Sequence, residues 1–398
     1  MQRLARTKSH VSPGCSDAAW PCAFREENPK LRTPVLRQGR AIYMKDNIKV
    51  VTFGCGFMGR NVTRFMKERG GFDHVACIGR KSHLGEDIGE IAGIGPVGAK
   101  IYPVTELGKV YDELKPDVVF DTGSGWPDVV ENTREALVRG IPVMALAEEF
   151  FSMKEEYPDE CAELDALAKE HNTRFIGLGM QDINWVSKCV VMSSNSHRID
   201  RIVGQNTCIL DFAGASEFDR VGLNMTEEEF YEYHAADPAP DNPFTYSLYQ
   251  IAEQLHLHVN GKTNDKTTPI FAPDDYTSKF LSPKEAAEFG GTIKKGRVMG
   301  ARRCSTLHTE EGVDLVGEFL YDWLFDETHT GFDRWTFEGE PTWDVLVKEG
   351  RYDIGTTTDL VNRVADVLNC KKNGYISGAD LPMPFYHFGP LNQYVERP

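Results

Sequence analysis

From Ile48 onward, short apolar runs alternate with segments of helical period. Ile48-Lys49-Val50-Val51-Thr52-Phe53 is such a run, and Met58 to Arg69 after it has an amphipathic pattern. His74 to Gly79 gives a second strand. A helix over Val104 to Leu114 stops before Lys115-Pro116, and Asp117 to Asp121 gives the next strand. Pro127 to Arg139 reads as a helix with proline at its start, where the missing N–H costs nothing, and Gly140 ends it. Strands at Ile141 to Ala145 and Arg174 to Leu178 bracket a long helix over Tyr157 to His171. Strands separated by helical segments predict a parallel sheet with crossovers.

The pattern changes after about residue 195. Asp200 to Leu210 reads as a strand. Val313, Leu315, Gly317, Phe319, Tyr321, Trp323 and Phe325 alternate with the acids Asp314, Glu318, Asp322 and Asp326, as in a half-buried strand with one wet face. The stretch 261–296 is rich in Lys, Thr, Pro and Asp and predicts a long surface excursion. Near the end, Thr356 to Leu368 carries Leu360, Val361, Val364, Val367 and Leu368 on one helical face, suited to packing back on the first sheet. The expected fold is therefore α/β: a Rossmann-type parallel-sheet domain plus an α+β domain with a mostly antiparallel sheet. The expected boundaries are an arm over 1–47, a dinucleotide-binding domain over 48–195, a substrate and dimerisation domain over 196–350, and a returning helix and tail over 351–398.

Composition bounds the reading further. The 398 residues are 41% hydrophobic and 26% charged, as in a soluble globular protein of about two domains. A net charge of −16 argues against a nucleic-acid partner. No apolar stretch approaches the roughly 20 residues that span a bilayer. Nine cysteines without metal-like spacing read as free thiols in a reducing compartment, hence a cytoplasmic protein. The first 48 residues hold nine Lys/Arg against four Asp/Glu and show no periodicity, so they read as a disordered arm. Two alternatives stay open for the arm. It is an organelle transit peptide, given its basic first 16 residues, or the functional chain begins at Met44.

The first candidate chemistry follows the first strand: Gly54-Cys55-Gly56-Phe57-Met58-Gly59, a GxGxxG motif between strand and helix. Gly54 makes the turn, Gly56 admits a pyrophosphate to the backbone, and Gly59 lets the helix pack close to the strand. At the end of the second strand, where an acid would hold a ribose 2′-hydroxyl, stand Arg80, Lys81 and Ser82. Two cations and a hydroxyl suit a 2′-phosphate, so NADP is the expected cofactor, with NAD possible; an ordinary basic surface turn is the alternative. Thr122 and Gly123, within Thr122-Gly123-Ser124-Gly125, follow another strand and are placed along the cofactor.

Ala147-Glu148-Glu149 follows the strand after that. Two carboxylates beside Ala145, Leu146, Ala147 and Phe150 sit where a nicotinamide ring is expected. A carboxylate between apolar walls favours a cationic neighbour such as an iminium and can shuttle protons in carbinolamine chemistry. The bland alternative is a pair of solvated acids at a helix start. Met180, Gln181, Asp182, Asn184 and Trp185 follow the next strand and supply polar groups and a bulky wall for a substrate. For Trp185, a core position is an equal alternative. No metal site is indicated.

These motifs carry a resemblance. Gly54 to Gly59, Ala147-Glu148-Glu149, Gly179-Met180-Gln181-Asp182-Ile183-Asn184-Trp185 and Leu360-Val361-Asn362-Arg363-Val364-Ala365-Asp366-Val367-Leu368 together resemble the native amine dehydrogenases related to 2,4-diaminopentanoate dehydrogenase. That family belongs to the larger group with a dihydrodipicolinate-reductase-like N-terminal domain. The resemblance spans about residues 44–384. It implies NAD(P)H-dependent reductive amination of a ketone, aldehyde or keto acid with ammonia, the reverse oxidative deamination, and a homodimer. It also implies catalysis by a glutamate at Glu148, with Glu149 the second choice, cofactor contacts from Ala147 and Asn362, and a pocket shaped by Trp185. Gln181-Asp182 departs from the Asn-Pro-Gly of the diaminopentanoate branch, which argues for a small carbonyl substrate. A dihydrodipicolinate reductase itself would carry a His-His pair and Lys-x-Asp-x-Pro-Ser-Gly, both absent. Sugar oxidoreductases of the related fold place Glu-Lys-Pro where this chain has Glu148-Glu149-Phe150. Two further readings stay open: an ammonia-independent carbonyl or amino-acid dehydrogenase, and a non-catalytic NADP-binding sensor.

Overall fold

Successive residues of a strand point to opposite faces, so a strand apolar on both faces must be covered on both. In the computed structural model, strand β1 (Ile48–Phe53) meets that condition. Ile48 and Val50 join one core cluster, and Val51 and Phe53 join another on the opposite side of the sheet. The structure describes residues 46–396, apart from 124, 213–217, 219–220, 279–280, 282, 288, 324–330 and 349–351. The arm expected over 1–47 lies almost wholly outside the described residues, as do its possible targeting role, Ser124, Phe325 and Asp326.

The first sheet grows from β1 through α1 (Phe57–Arg69), β2 (Phe72–Gly79), α2 (Ile88–Ile91), β3 (Lys100–Pro103), α3 (Leu107–Leu114), β4 (Val118–Asp121), α4 (Asp128–Leu137), β5 (Val143–Ala145), α5 (Met153–Glu156), α6 (Pro158–Glu170) and β6 (Arg174–Gly177). The second sheet follows, through α7 (Lys188–Ser193), β7 (Arg198–Ile209), α8 (Glu227–Tyr233), α9 (Pro243–Gln254), β8 (Val259–Asn264), β9 (Thr268–Phe271), α10 (Pro283–Ala287), β10 (Val298–Thr309), β11 (Asp314–Asp322), β12 (Phe332–Glu340) and β13 (Trp343–Lys348). The chain then returns through α11 (Tyr352–Asn369) and β14 (Gly374–Tyr375).

Sheet one is parallel, in the order β14-β6-β5-β4-β1-β2-β3. Leu107, Val110, Val129, Leu137 and Leu164 cover one face. Val62 and Met66 of α1 cover the other, together with Leu360, Val361, Val364 and Val367 of α11. The fold is thus the α/β arrangement expected, and the late apolar stripe does pack on the first sheet. Sheet two runs β13-β12-β7-β11-β10-β8, with β9 on β10; among the described residues its pairings are antiparallel except β11 on β7.

One expectation is corrected here. The stretch 261–296 is no simple excursion. It supplies most of β8, all of β9, and the buried residues Ala272, Tyr276 and Ile293 of the second core. β8 ends the strand order and β9 pairs only with β10 off the main path, and none of their residues is fully buried, so few positions there demand apolar side chains.

Helix α9 matters most for the site. Asn242 caps it, accepting a hydrogen bond from the Phe244 N–H, and Pro243 opens it. Phe244, Leu248, Ile251 and Ala252 bury one face in the second core. Phe244 packs so tightly on the sheet that a Cβ at Gly204 would lie 2.6 Å from its ring. The opposite face, with Tyr246 and Tyr249, is left half-buried and turned toward sheet one. No helix among the described residues is long and apolar enough to cross a membrane.

Candidate functional site

The chain leaves β1 for β2 and β3 on one side, then crosses to β4, β5 and β6 on the other. The order therefore reverses between β1 and β4. In open α/β sheets, ligands bind in the crevice at that reversal, beyond the carboxyl ends of the strands.

The glycine turn lies in that crevice. Gly54 has φ +104°, a conformation that side chains resist, and a Cβ there would come within 2.8 Å of the Gly123 Cα. A Cβ on Gly59 would collide with the Gly54 carbonyl oxygen at 1.9 Å. Around the Cβ position of Gly56 there is nothing within 4 Å, and no side chain caps α1. The first N–H groups of α1 therefore face open space, at the positive end of the helix. This cradle fits a dinucleotide pyrophosphate. Phe57 is exposed, while Cys55 and Met58 are partly exposed around the turn.

Neighbouring strand ends complete the groove. Thr122 donates its hydroxyl to the Phe53 carbonyl at 2.8 Å, which fixes the β4 end beside the turn. The Gly123 N–H is held by buried Asp121 at 3.2 Å. At the β2 end, the Cys55 sulfur lies 3.7 Å from the Ser82 Oγ. Arg80, Lys81 and Ser82 are all exposed there, and Arg80 pairs with Asp128 at 2.6 Å.

Beyond β5, Glu148 and Glu149 open a 3₁₀ turn, Glu148–Phe150. Both are partly exposed, whereas Phe150 is fully buried. The turn is pinned from behind: Tyr375 of β14 donates its hydroxyl to the carbonyls of Phe150 at 3.2 Å and Phe151 at 3.0 Å. Gln250 of α9 donates to the same Phe151 carbonyl at 2.9 Å.

Facing the turn are residues that sequence reasoning missed. Tyr246 has its hydroxyl pushed well up by burial, and further by Tyr157, Glu149 and Glu148. Tyr157 is raised by burial and then by Glu149, and it is hydrogen-bonded to Tyr246. Both phenols therefore stay protonated beside two carboxylates. Next to them, Lys262 of β8 bridges Glu156 at 3.2 Å and Asp241 at 2.8 Å, tying the two sheets together at this edge. A signal for Tyr246 was present: Asn242-Pro243 is a helix start, and Phe244 and Leu248 recur at helical spacing.

The third group of expected residues fares differently. Asp182 and Trp185 are both buried. Asp182 is 1% exposed and paired with Arg363 at 2.9 Å. Trp185 is 2% exposed, stacked on Phe244 with ring centroids 4.3 Å apart, and donates its Nε1–H to Asp333. Trp185 thus belongs to the second core cluster. Met180 and Gln181 are also buried, though Gly179 beside them abuts Leu146.

Arg363 sits in a buried cluster. It binds Asp182 and Asp366, and Asp359 accepts the Gly179 N–H at 3.0 Å. Burial raises the carboxyls of Asp182, Asp359 and Asp366, Asp359 most strongly, while Arg363 draws each back down. Immediately before Arg363 on α11, the Asn362 side-chain oxygen is buried with no hydrogen-bond partner among the described residues. A cofactor amide is a fitting partner for that oxygen.

Residues 48–144 match the family described as "Dihydrodipicolinate reductase, N-terminus". A 2,4-diaminopentanoate dehydrogenase of Acetoanaerobium sticklandii is 22% identical over 356 residues, spanning 88% of this chain and 98% of that protein. The solved structure of an amine dehydrogenase from Mycobacterium smegmatis matches with a TM-score of 0.74 and 26% identity, over 86% of this chain and 98% of that one. The chain is similar to the amine dehydrogenases. By contrast, a 4-hydroxy-tetrahydrodipicolinate reductase of Methanocaldococcus jannaschii is 32% identical over only 128 residues, 31% of this chain and 44% of that protein. The sequence match to that reductase thus covers part of the chain, whereas the match to the amine dehydrogenase structure runs through both sheets.

Proposed function

We propose that this chain is an NAD(P)H-dependent amine dehydrogenase. It would reductively aminate a small ketone, aldehyde or keto acid with ammonia, and catalyse the reverse oxidative deamination. The observation that carries the reading is the pair Glu148 and Glu149, held at the β5 end by Tyr375 and Gln250 and facing the hydroxyls of Tyr157 and Tyr246. The likeness to a named amine dehydrogenase along most of the chain supports it.

The bound cofactor would supply or accept the hydride. Gly54 to Gly59 would hold its pyrophosphate, Thr122, Gly123 and Ala147 would border it, Arg80, Lys81 and Ser82 would meet a 2′-phosphate, and Asn362 would take an amide hydrogen. The chain's own groups would handle protons. Glu148 takes one proton from ammonium, the resulting ammonia adds to the carbonyl while a second proton passes from its nitrogen to the carbonyl oxygen, and Glu148 then returns its proton to the carbinolamine hydroxyl, so that water leaves and an iminium forms. Its carboxylate, beside Leu146 and Phe150, then stabilises that cation until the hydride arrives. Tyr157 and Tyr246, kept protonated, hold the carbonyl oxygen by hydrogen bonds. Glu148→Gln should lower ammonium-dependent NADPH oxidation by about 10²–10⁴-fold while cofactor binding persists. Turnover within a factor of three of wild type would sink the mechanism.

A second reading has its own support. A protonated tyrosine is also a suitable acid for an alkoxide, so Tyr157 and Tyr246 fit an ammonia-independent carbonyl reductase. Assaying a panel of small ketones and aldehydes with and without ammonium separates the two, and tight NADPH binding without turnover in either would favour a sensor. We further infer a cytoplasmic homodimer, for which sedimentation of the full chain reads the oligomeric state.

A further inference from the structure

We propose that Asp128 sets cofactor specificity: it holds Arg80 across the dinucleotide groove and competes with a cofactor 2′-phosphate for that guanidinium. The inference rests on the cofactor reading above and concerns which nicotinamide dinucleotide the groove prefers.

Arg80 is the residue immediately after β2, and Asp128 opens α4 beyond β4. In the sheet, β2 and β4 lie on either side of β1. An ion pair from Arg80 to Asp128, 2.6 Å between Nη2 and Oδ2, therefore links the segments that follow the two strands flanking β1. Two strand spacings, about 10 Å, separate the flanking strands, a gap that a long arginine can cross.

The energetics argue against a purely structural role. The two side chains are 51% and 58% exposed, and such solvated pairs contribute little to stability. Asp128 and Glu131 together supply acids to the first turn of α4, so the helix dipole does not depend on Asp128 alone. Nearby, His83 is engaged with Glu86, which leaves Arg80 as the reader tied to an acid from another element.

The consequence differs between the two cofactors. The adenosine ribose lies over the end of the second strand in this fold. With NAD the ribose presents a hydroxyl, and Arg80 can keep its bond to Asp128. With NADP, a phosphate of about −1.5 to −2 charge arrives beside the Asp128 carboxylate, and Arg80 must turn from one anion to the other. Asp128 thus offsets part of the NADP preference that Arg80, Lys81 and Ser82 would otherwise give, and the groove should accept both cofactors.

The test is calorimetric titration of the full chain with NADPH, NADH, adenosine 2′,5′-bisphosphate and 5′-AMP. Asp128→Asn should tighten NADPH and the bisphosphate about five- to tenfold at low salt, with NADH and 5′-AMP within about twofold. Asp128→Glu keeps the charge and should stay near wild type. The gain should shrink in an Arg80→Ala background. A gain shared equally by NADH, or no gain at all, overturns the role of Asp128. If Arg80→Ala leaves NADPH affinity unchanged, the 2′-phosphate reading fails and takes this inference with it, although the dinucleotide site survives. If no variant binds either cofactor, the proposed function itself is wrong. Melting curves of each variant establish that a change in affinity is not a change in folding.

Discussion

Two acidic groups stand at neighbouring strand ends of the same sheet, and they do opposite things. Glu148 and Glu149, beyond β5, are partly exposed and face two protonated tyrosines. Asp182, Asp359 and Asp366, beyond β6 and on α11, are buried around one guanidinium. The first group is reached by solvent and has two phenol hydroxyls near it. The second has its charge already answered. Burial therefore separates the two groups of carboxylates, and position after a strand does not.

The largest expected effect breaks the buried group. Arg363→Met would keep the volume and remove the single guanidinium among three carboxylates. Leaving a buried ion pair with one member typically costs 3–5 kcal/mol, so denaturant unfolding should show a loss of about that size. If Arg363→Met instead unfolds within about 0.5 kcal/mol of wild type, the cluster is hydrated and the contrast with Glu148 collapses.

The open group is sharpened by Tyr246→Phe. In the amination reading, Tyr246 only steadies the carbonyl oxygen, and losing one such hydrogen bond should lower kcat/KM by about two- to tenfold. If Tyr246 instead protonates an alkoxide, the loss should be about 10²-fold or more. Steady-state rates with and without ammonium, on the same variant, choose between them.

The two groups also differ in how far the sequence showed them. The glycine turn and the Glu148 turn follow strands of period 2, and their glycines answer local backbone demands, so both are legible from adjacent residues. Trp185 and Asp182 also follow a strand, yet their roles come from Phe244, Asp333 and Arg363, which are 59 to 181 positions away. No local pattern encodes such pairings. Tyr246 falls between these cases. Its helix was readable from Asn242-Pro243 and the spacing of Phe244 and Leu248, but its approach to Glu148 depends on how α9 docks on the second sheet. The same applies to Asp128: its place at the start of α4 was readable, while its partner Arg80 across β1 depended on strand order.

The smallest effect carries a sign. Asp359 is fully buried, and its carboxyl is raised by burial and by neighbouring Asp182, with Arg363 and the Gly179 N–H pulling the other way. A group whose folded pKa exceeds its unfolded value favours the folded state while it is protonated. That contribution is complete below the unfolded pKa, about 3.9, and fades as pH rises toward the folded pKa. Asp359→Asn cannot ionise but still accepts the Gly179 N–H through its amide oxygen, so it removes only the pH-dependent part. The variant should therefore melt closer to wild type at pH 5 than at pH 8, with the variant ahead at pH 8. A difference that is flat across this range, or of opposite sign, would mean that Asp359 is ionised in the folded protein and shares Arg363 with Asp182. Were that so, the buried group would hold more negative charge than one guanidinium answers. Its separation from the Glu148 turn would then rest on exclusion of water alone, not on an internal balance of charge.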